Sequence, residues 1–277
     1  MTGHLQTVGE VTERILRGQV LVLAADAAVL RMLPPGRWIG GSVPYLEGVP
    51  GSVDPSGLVH VMQLPPDLPG VSVQVYDVTR IRDVYADLSG EDFGVIAIPA
   101  ASPTHAEFAL HAPGYRGFEV RPLVGWVAGP HLDGSDAGRA SVFAGSTGQE
   151  IIDGAVVLRG RLPQGRVATV GVVNIFEQGD GEVIGFPRDG FDVDTAIIDG
   201  VERNFADFVQ EKGLDTRLPL VADYYGVQVN VSFRAVNPIG REVRFYSPVF
   251  AGLVYRHARE IGDYGAELAA RSPRDGT

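Results

Sequence analysis

The sequence predicts an α/β fold of the mixed α+β kind, in which helices pack outside mixed β-sheets. Two related halves are expected, residues 1–135 and 136–277, either as two domains or around one shared core. The first half contains a strand–helix–strand pattern twice, and each copy carries one of the two tryptophans of the chain. The second half is richer in short apolar or alternating runs, which are typical of β-strands.

The first copy of this pattern follows an amphipathic helix over residues 7–17 and occupies residues 20–42. Its apolar run, residues 20–24, is typical of a buried strand. Asp26 is placed to cap the next helix, which a Pro-Pro-Gly sequence ends. The tryptophan strand then starts at Trp38 and runs into two glycines, which are expected to form a turn.

The second copy begins with another apolar run, residues 93–98. Ser102 is a helix N-cap residue, and the proline that follows it suits the first helical position because its missing N–H has no partner there. The helix is expected to reach His111, before an Ala-Pro-Gly sequence. Trp126 lies in the next strand, so the two copies form a long and degenerate internal repeat.

A run rich in glycine, serine and aspartate, residues 133–148, is expected to connect the two halves. Asn204 is placed to cap a short helix that ends at Gly213, and a last helix is expected over residues 255–271. The remaining elements are expected to be strands: residues 59–64 and 71–76 between the two copies, and residues 155–162, 166–176, 226–235 and 243–250 in the second half.

Composition and charge exclude several classes of function. The chain has a net charge of −11 and no basic run, so it is not expected to bind nucleic acid. It has no cysteine, which excludes disulfides, thiolate metal sites and a cysteine nucleophile. No apolar run approaches the roughly 20 residues of a membrane span, and the N-terminal segment lacks the features of a signal peptide. A cytoplasmic protein without membrane contact is therefore expected.

The leading functional interpretation is a small-molecule-binding, sensory-type protein with its ligand site at the ends of the two tryptophan strands. Two adjacent glycines allow a close approach of the backbone, and neighbouring amides with a serine and an arginine can hold an anion. A tight turn beside a core tryptophan is the structural alternative. The residues expected at the site are Arg37, Trp38, Gly40, Gly41 and Ser42 on one side, and Trp126 and His131 on the other.

Other motifs carry weaker signals. Residues 144–148, AGSTG, approach the Gly-x-Ser-x-Gly nucleophile elbow but begin with alanine, and a loop is expected there because no helix follows. No phosphate-binding or dinucleotide-binding glycine motif is present, and no organic cofactor is indicated. His105, His131 and Asp133 meet only if the fold brings them together, and no metal site is assigned to them. His257 is expected to be a surface group on the last helix.

An enzyme without an organic cofactor, such as a lyase, isomerase or hydrolase, is a second interpretation. Its acid–base residues would be drawn from Asp207, Asp223, Tyr224 and His131. It requires one of these aspartates to lie within about 3 Å of a tyrosine or histidine and to face a cavity. The structural alternative is that the aspartates pair with nearby arginines and brace the second half.

A scaffold or assembly subunit is a third interpretation. It predicts a large exposed apolar patch, for which Phe245, Tyr246 and Phe250 are the candidates. The sequence leaves the oligomeric state open, and a homo-oligomer is compatible with it.

Several runs of the sequence together resemble a bacterial family of conserved proteins without an assigned function. They include the WIGG[ST]xPY motif at residues 38–45, VIAIPAASPTHAEFALHAPGY, LVGWVAGP and TRLPLVADYYGVQVNVSF, and the resemblance spans about residues 15–260. More loosely, the strand–helix–strand pattern of the first half resembles the FIST sensory domain, although the Gly-Cys-Ser-Thr stretch of that module is absent here. The second resemblance implies the binding of small ligands such as amino acids.

Overall fold

The computed structural model describes residues 4–43, 57–130, 139–224 and 226–272. These residues have the predicted α/β architecture, with helices beside mixed and antiparallel sheets. The chain divides into two compact units, residues 1–170 and 171–277.

The first unit contains ten described strands and three described α-helices. The strands are β1 (His4–Thr7), β2 (Leu21–Ala25), β3 (Trp38–Ser42), β4 (Leu58–Gln63), β5 (Gly70–Tyr76), β6 (Asp92–Pro99), β7 (Leu123–Ala128), β8 (Val142–Ala144), β9 (Gln149–Ile151) and β10 (Ala155–Arg161). The helices are α1 (Val8–Leu16), α2 (Ala27–Leu30) and α3 (Pro103–His111), with short 3-10 turns at Ile81–Asp83 and Ala112–Gly114.

These strands form a six-stranded sheet with the order β1-β4-β2-β3-β8-β9 and a four-stranded sheet with the order β5-β10-β6-β7. The pairs β2–β3 and β6–β7 are parallel, and a helix lies between the two strands of each pair in the chain. A parallel pair requires such a crossover because the chain must return to the same end of the sheet. Side chains from both sheets form one core: Val22, Ile39, Val95, Val142, Val156 and Leu158.

The two tryptophans lie in different parts of the first unit. Trp38 is opposite Leu21, the first residue of β2, and it packs in a core that includes residues of α1 and α2. Trp126 is opposite Ala97, near the end of β6, and it packs against the core between the two sheets. The tryptophans are therefore not at equivalent positions in the two strand–helix–strand units.

The second unit contains nine described strands and two described helices. The strands are β11 (Ile184–Gly185), β12 (Gly190–Val193), β13 (Thr195–Ile198), β14 (Val201–Asn204), β15 (Leu220–Tyr224), β16 (Val227–Val231), β17 (Phe233–Asn237), β18 (Glu242–Val249) and β19 (Tyr255–His257). The helices are α4 (Phe205–Lys212) and α5 (Tyr264–Arg271). The strands form two antiparallel sheets with the orders β14-β13-β11-β19-β15-β16 and β12-β18-β17.

Helix α4 begins and ends as the sequence predicts. The side chain of Asn204 accepts a hydrogen bond from the backbone N–H of Asp207, and Gly213 ends the helix in the left-handed conformation with φ 61°. The buried face of α4 packs against an aromatic core, whose members are Phe186, Phe205, Phe208, Phe233, Phe245 and Tyr255. Edge-to-face contacts such as Phe186 with Phe205, whose ring centroids are 5.4 Å apart, add to the burial of these rings.

The boundary between the compact units lies at residues 170/171 rather than at the expected 135/136. The reason is that β8, β9 and β10 complete the sheets of the first unit. β8 pairs with β3, and β10 lies between β5 and β6 in the four-stranded sheet. The glycine-rich run was therefore a misleading sign of a boundary.

Three further predictions were wrong in part. Residues 166–176 form no strand, and Val167 is 81% exposed. The last helix begins at Tyr264, because residues 255–257 form β19. The proposed apolar patch is not continuous, because Phe245 is buried in the aromatic core while Tyr246, on the opposite face of β18, is exposed.

Candidate functional site

The ends of β3 and β7 form a hydrogen-bonded junction between the two sheets of the first unit. The hydroxyl of Ser42 donates to the carbonyl oxygen of Gly129 at 2.9 Å and accepts from the backbone N–H of Ser141 at 3.1 Å. The N–H of Gly129 donates to the carbonyl oxygen of Ser42 at 2.9 Å. The donor and acceptor functions of the Ser42 hydroxyl are therefore already used within the fold.

Gly40 and Gly41 lie inside β3 and not in a turn, so the expected turn is wrong. β3 pairs with β2 on one side and β8 on the other, and both glycines are buried. A Cβ on Gly41 would lie 2.8–2.9 Å from the indole of Trp126. Glycine is required there because this ring packs directly against the backbone of β3.

Trp38 is a core residue, as the structural alternative proposed. It is 1% exposed, and its indole N–H donates to the carbonyl oxygen of Pro34 at 2.9 Å. A Cβ on Gly145 would lie 2.4 Å from the same ring. Residues 144–149 connect the antiparallel strands β8 and β9, so AGSTG is a hairpin turn, as expected, and not a strand-to-helix elbow.

Arg37, the proposed counter-charge for an anion, is exposed beside this region. The N-terminus of α3 is occupied by an internal carboxylate, because Asp153 accepts from the backbone N–H of Thr104 at 3.2 Å and from its hydroxyl at 2.9 Å. Neither Arg37 nor the N-terminus of α3 therefore forms an anion-binding site among the described residues of the first unit.

Trp126 differs from Trp38 in one respect that matters for binding. Its indole nitrogen is buried and has no hydrogen-bond partner among the described residues. His131 and Asp133, which were proposed beside it, lie outside the described residues. His105 is 8% exposed, and burial lowers the pKa of its ring.

The aspartates proposed for acid–base chemistry make structural contacts. Asp207 accepts from Nη2 of Arg241 at 2.6 Å, and Asp223 accepts from the backbone N–H of Gly226 at 2.7 Å, between β15 and β16. Tyr224 lies at the end of β15 and is partly buried. Among the described residues, neither aspartate lines the cavity described next, so the geometric condition for the acid–base interpretation is not met there.

The second unit contains a cavity of about 290 Å³. Its floor is formed by apolar side chains: Ile184, Phe208, Leu214 and Ala258. Its rim carries polar and charged side chains: Asp180, Glu182, His257, Arg259 and Glu260. An apolar floor with a few polar groups around it is the usual composition of a small-molecule site.

One wall of this cavity is a short strap, residues 177–182, that runs beside the end of β19. The N–H of Gly179 donates to the carbonyl oxygen of His257 at 2.9 Å, and the N–H of Arg259 donates to that of Glu177 at 3.0 Å. A Cβ on Gly179 would lie 2.7 Å from the His257 carbonyl oxygen, so this approach requires glycine. Gly181, further along the strap, has open space where its Cβ would be.

One hydrogen bond defines the tautomer of the neutral His257 ring. Its Nε2 lies 2.9 Å from the carbonyl oxygen of Asp215, and because a carbonyl oxygen only accepts, Nε2 carries the proton. In the neutral ring, Nδ1 is then the hydrogen-bond acceptor. The side chain is partly buried and lines the cavity.

The charges at the rim are partly paired. Glu182 forms an ion pair with Lys212, and Asp180 lies 3.3 Å from Nη2 of Arg259. Glu260 is exposed and forms no ion pair within 4 Å with a described residue, but it interacts electrostatically with Arg217. Of the side chains that line the rim, three are carboxylates and one is a guanidinium, and Glu260 is the carboxylate without an ion pair among the described residues.

Sequence reasoning missed this cavity and the position of His257. The assignment of residues 255–271 to one helix placed His257 on a surface. Gly252 and Gly262 bracket a short run around Tyr255 and His257, and this bracketing was the available sign of a strand.

The fold and this cavity define the protein as a two-unit α/β protein with an apolar-floored pocket in its second unit. The chain belongs to the Family of unknown function (DUF6976), which it matches over residues 6–277. No curated protein and no solved structure matches the chain.

Two further properties concern the described residues. None of their helices combines the length and the apolar character needed to cross a membrane. They also contain no group of three or more histidine, aspartate or glutamate side chains placed to hold a metal ion.

Proposed function

We propose that this protein is a small-molecule-binding protein of the sensory type, located in the cytoplasm, and that its ligand occupies the cavity of the second unit. The observation that carries the proposal is the cavity itself, which joins an apolar floor to a histidine of fixed tautomer and to Glu260, a carboxylate that forms no ion pair within 4 Å in the described part of the chain. Sites of this kind bury the apolar body of a ligand and use a few polar groups to orient it.

The size of the cavity favours a small ligand. Its volume of about 290 Å³ is close to the lower end, about 300 Å³, of the range typical of small-molecule sites. Phe208 and Ile184 at its floor are within the aromatic core and are at most 1% exposed, so the floor is held rigidly. A rigid floor favours binding because little ordering is needed when the ligand enters.

The test is a ligand-observed NMR screen of small organic fragments against three proteins: the wild type, Gly181→Phe and Gly262→Phe. Gly181 lines the cavity, whereas Gly262 does not, and both are exposed glycines with open space around a new Cβ and no positive φ. Fragments should bind the wild type and Gly262→Phe and should lose binding to Gly181→Phe. Equal binding to all three proteins, or no binding by any fragment at millimolar concentration, contradicts the proposal.

A second candidate site has support from one observation, the unpartnered indole N–H of Trp126. A ligand acceptor at the ends of β3 and β7 would satisfy this buried donor, whose isolation is otherwise unfavourable. Trp38 is buried and serves as an internal reference, so a ligand here changes the fluorescence of wild-type protein but not that of Trp126→Phe. Unchanged fluorescence with every bound fragment removes this candidate.

A further inference from the structure

We infer that the cavity of the second unit selects small organic cations, namely ammonium compounds with an apolar body. This inference rests on the proposed function, because it names the class of ligand for the same site. It depends on the charges of the rim, on the acceptor presented by His257 and on the apolar floor.

The charges favour a cation. The rim carries three carboxylates and one guanidinium. Arg259 is already engaged, since its Nη2 lies 3.3 Å from Asp180 and its Nη1 lies 3.9 Å from Glu177. A carboxylate ligand would therefore compete with two internal carboxylates for this one guanidinium, while a cation meets the unpaired Glu260.

The histidine favours a hydrogen-bond donor. Because Nε2 of His257 donates to the Asp215 carbonyl oxygen, Nδ1 is left as an acceptor in the neutral ring. An ammonium group has three N–H donors and no acceptor, so it can donate to an imidazole nitrogen or to a carboxylate. A carboxylate has only acceptors and gains nothing from this nitrogen.

The apolar floor determines which group the ligand carries beside its ammonium group. Leu214 is partly exposed and offers apolar surface, and Ile184 and Phe208 line the same floor although they are at most 1% exposed. An alkyl or benzyl group on the ammonium is suited to this surface, because its removal from water contributes to affinity.

The test compares three probes of one shape: benzylammonium, benzyl alcohol and benzoate, titrated into the full chain by NMR at pH 7.5. Benzylammonium should bind roughly tenfold more tightly than benzyl alcohol, and benzoate should bind most weakly, because the rim charge acts on the cation alone. Glu260→Gln should weaken benzylammonium about two- to fivefold, as expected for an exposed ion pair, and leave benzyl alcohol unchanged. Glu202→Gln, an exposed carboxylate of the same unit that does not line the cavity, is the matched control.

The outcomes separate the two proposals. If benzyl alcohol or benzoate binds best and Gly181→Phe abolishes that binding, the cavity is a ligand site but its preference for cations is wrong. If benzylammonium binds best but Glu260→Gln and Glu202→Gln weaken it equally, the effect comes from overall charge and the inference is wrong. If no probe binds, the preference for cations is wrong, and the fragment screen decides whether the cavity is a ligand site. If a probe binds and Gly181→Phe changes nothing, the cavity is not the site and both proposals fail.

Discussion

Asp92, the first residue of β6, links β6 to β10 through an ion-pair cluster in which the carboxylate is buried and the two arginines are partly exposed. It is 2% exposed, and its carboxylate accepts from the backbone N–H of Ser89 at 2.7 Å, from the Ser89 hydroxyl and from Nη2 of Arg159. Its Oδ1 accepts from Nε of Arg161 at 3.0 Å. We predict that Asp92→Asn destabilises the protein by about 2 kcal/mol at neutral pH, because the buried carboxylate loses its charge-assisted hydrogen bonds to arginines that are themselves partly exposed.

The same cluster makes this destabilisation depend on pH. Burial alone would raise the pKa of Asp92, but hydrogen bonds from Ser89, Arg161 and Arg159 outweigh burial and lower the pKa from 3.8 to about 2. Because the folded-state pKa is the lower one, the carboxylate stabilises the fold above about pH 5, and this contribution is lost as the pH falls through 4 towards 2. At about 1.4 kcal/mol for each pKa unit, this lowering of the Asp92 pKa corresponds to roughly 2 kcal/mol of stability at neutral pH.

The assay is urea unfolding of wild type, Asp92→Asn and the exposed neighbour variant Glu91→Gln at pH 7, 5 and 3. The difference in unfolding free energy between wild type and Asp92→Asn should narrow by about 1 kcal/mol between pH 7 and pH 3. Glu91→Gln should stay close to wild type at each pH. A difference that is constant across this range, or a cost at pH 7 no larger than that of Glu91→Gln, refutes the reasoning.

Three further predictions concern packing and capping, and each is checked by urea unfolding. Gly145→Ala should lower the free energy of unfolding by about 1–3 kcal/mol, because its Cβ would lie 2.4 Å from the Trp38 ring. Gly114→Ala has open space around the new Cβ and should lower it much less, so equal losses would contradict this. Trp38→Phe should lower the free energy of unfolding by about 2–3 kcal/mol, because it removes a hydrogen bond and leaves a cavity. Trp126→Phe should lower it less, because the indole N–H has no partner among the described residues. The reverse order would show that the roles of the two tryptophans are misassigned. Asn204→Ala should cost about 2 kcal/mol, because this side chain caps α4 and also donates to the carbonyl oxygens of Asp194 and Arg241; a loss below about 0.5 kcal/mol would contradict it.

Local patterns were sufficient to predict the fold class and several elements. The apolar runs at residues 20–24 and 93–98 correspond to β2 and β6, and Ser102 and Asn204 cap helices where their side chains predicted it. Each of these features is determined by residues that are close together in the chain, so the local sequence is enough to predict it.

Features that depend on distant residues were not predictable in the same way. Gly41 is glycine because Trp126 packs against it, and its partner is far away in the sequence. A pair of glycines alone indicates a turn, so the buried strand was missed. The internal repeat stays a prediction. Its two tryptophans lie at different positions along their parallel strand pairs and pack in different cores.

The cavity was missed for the same reason. Its walls come from three separate segments, residues 179–184, 208–214 and 257–260, and none of them carries a recognisable motif. Pairing of β11 and the strap with β19, together with the ion pair between Lys212 and Glu182, brings these segments together.

The measurement that tests the central claim most directly is amide chemical-shift mapping by NMR during titration of the full chain with benzylammonium. If the cavity of the second unit is the ligand site, the largest shifts will fall on Gly179, Gly181, Leu214 and His257, and they will saturate with a single dissociation constant. Shifts that concentrate instead at Trp126 and Ser42, or that stay linear in ligand concentration without saturation, contradict the claim.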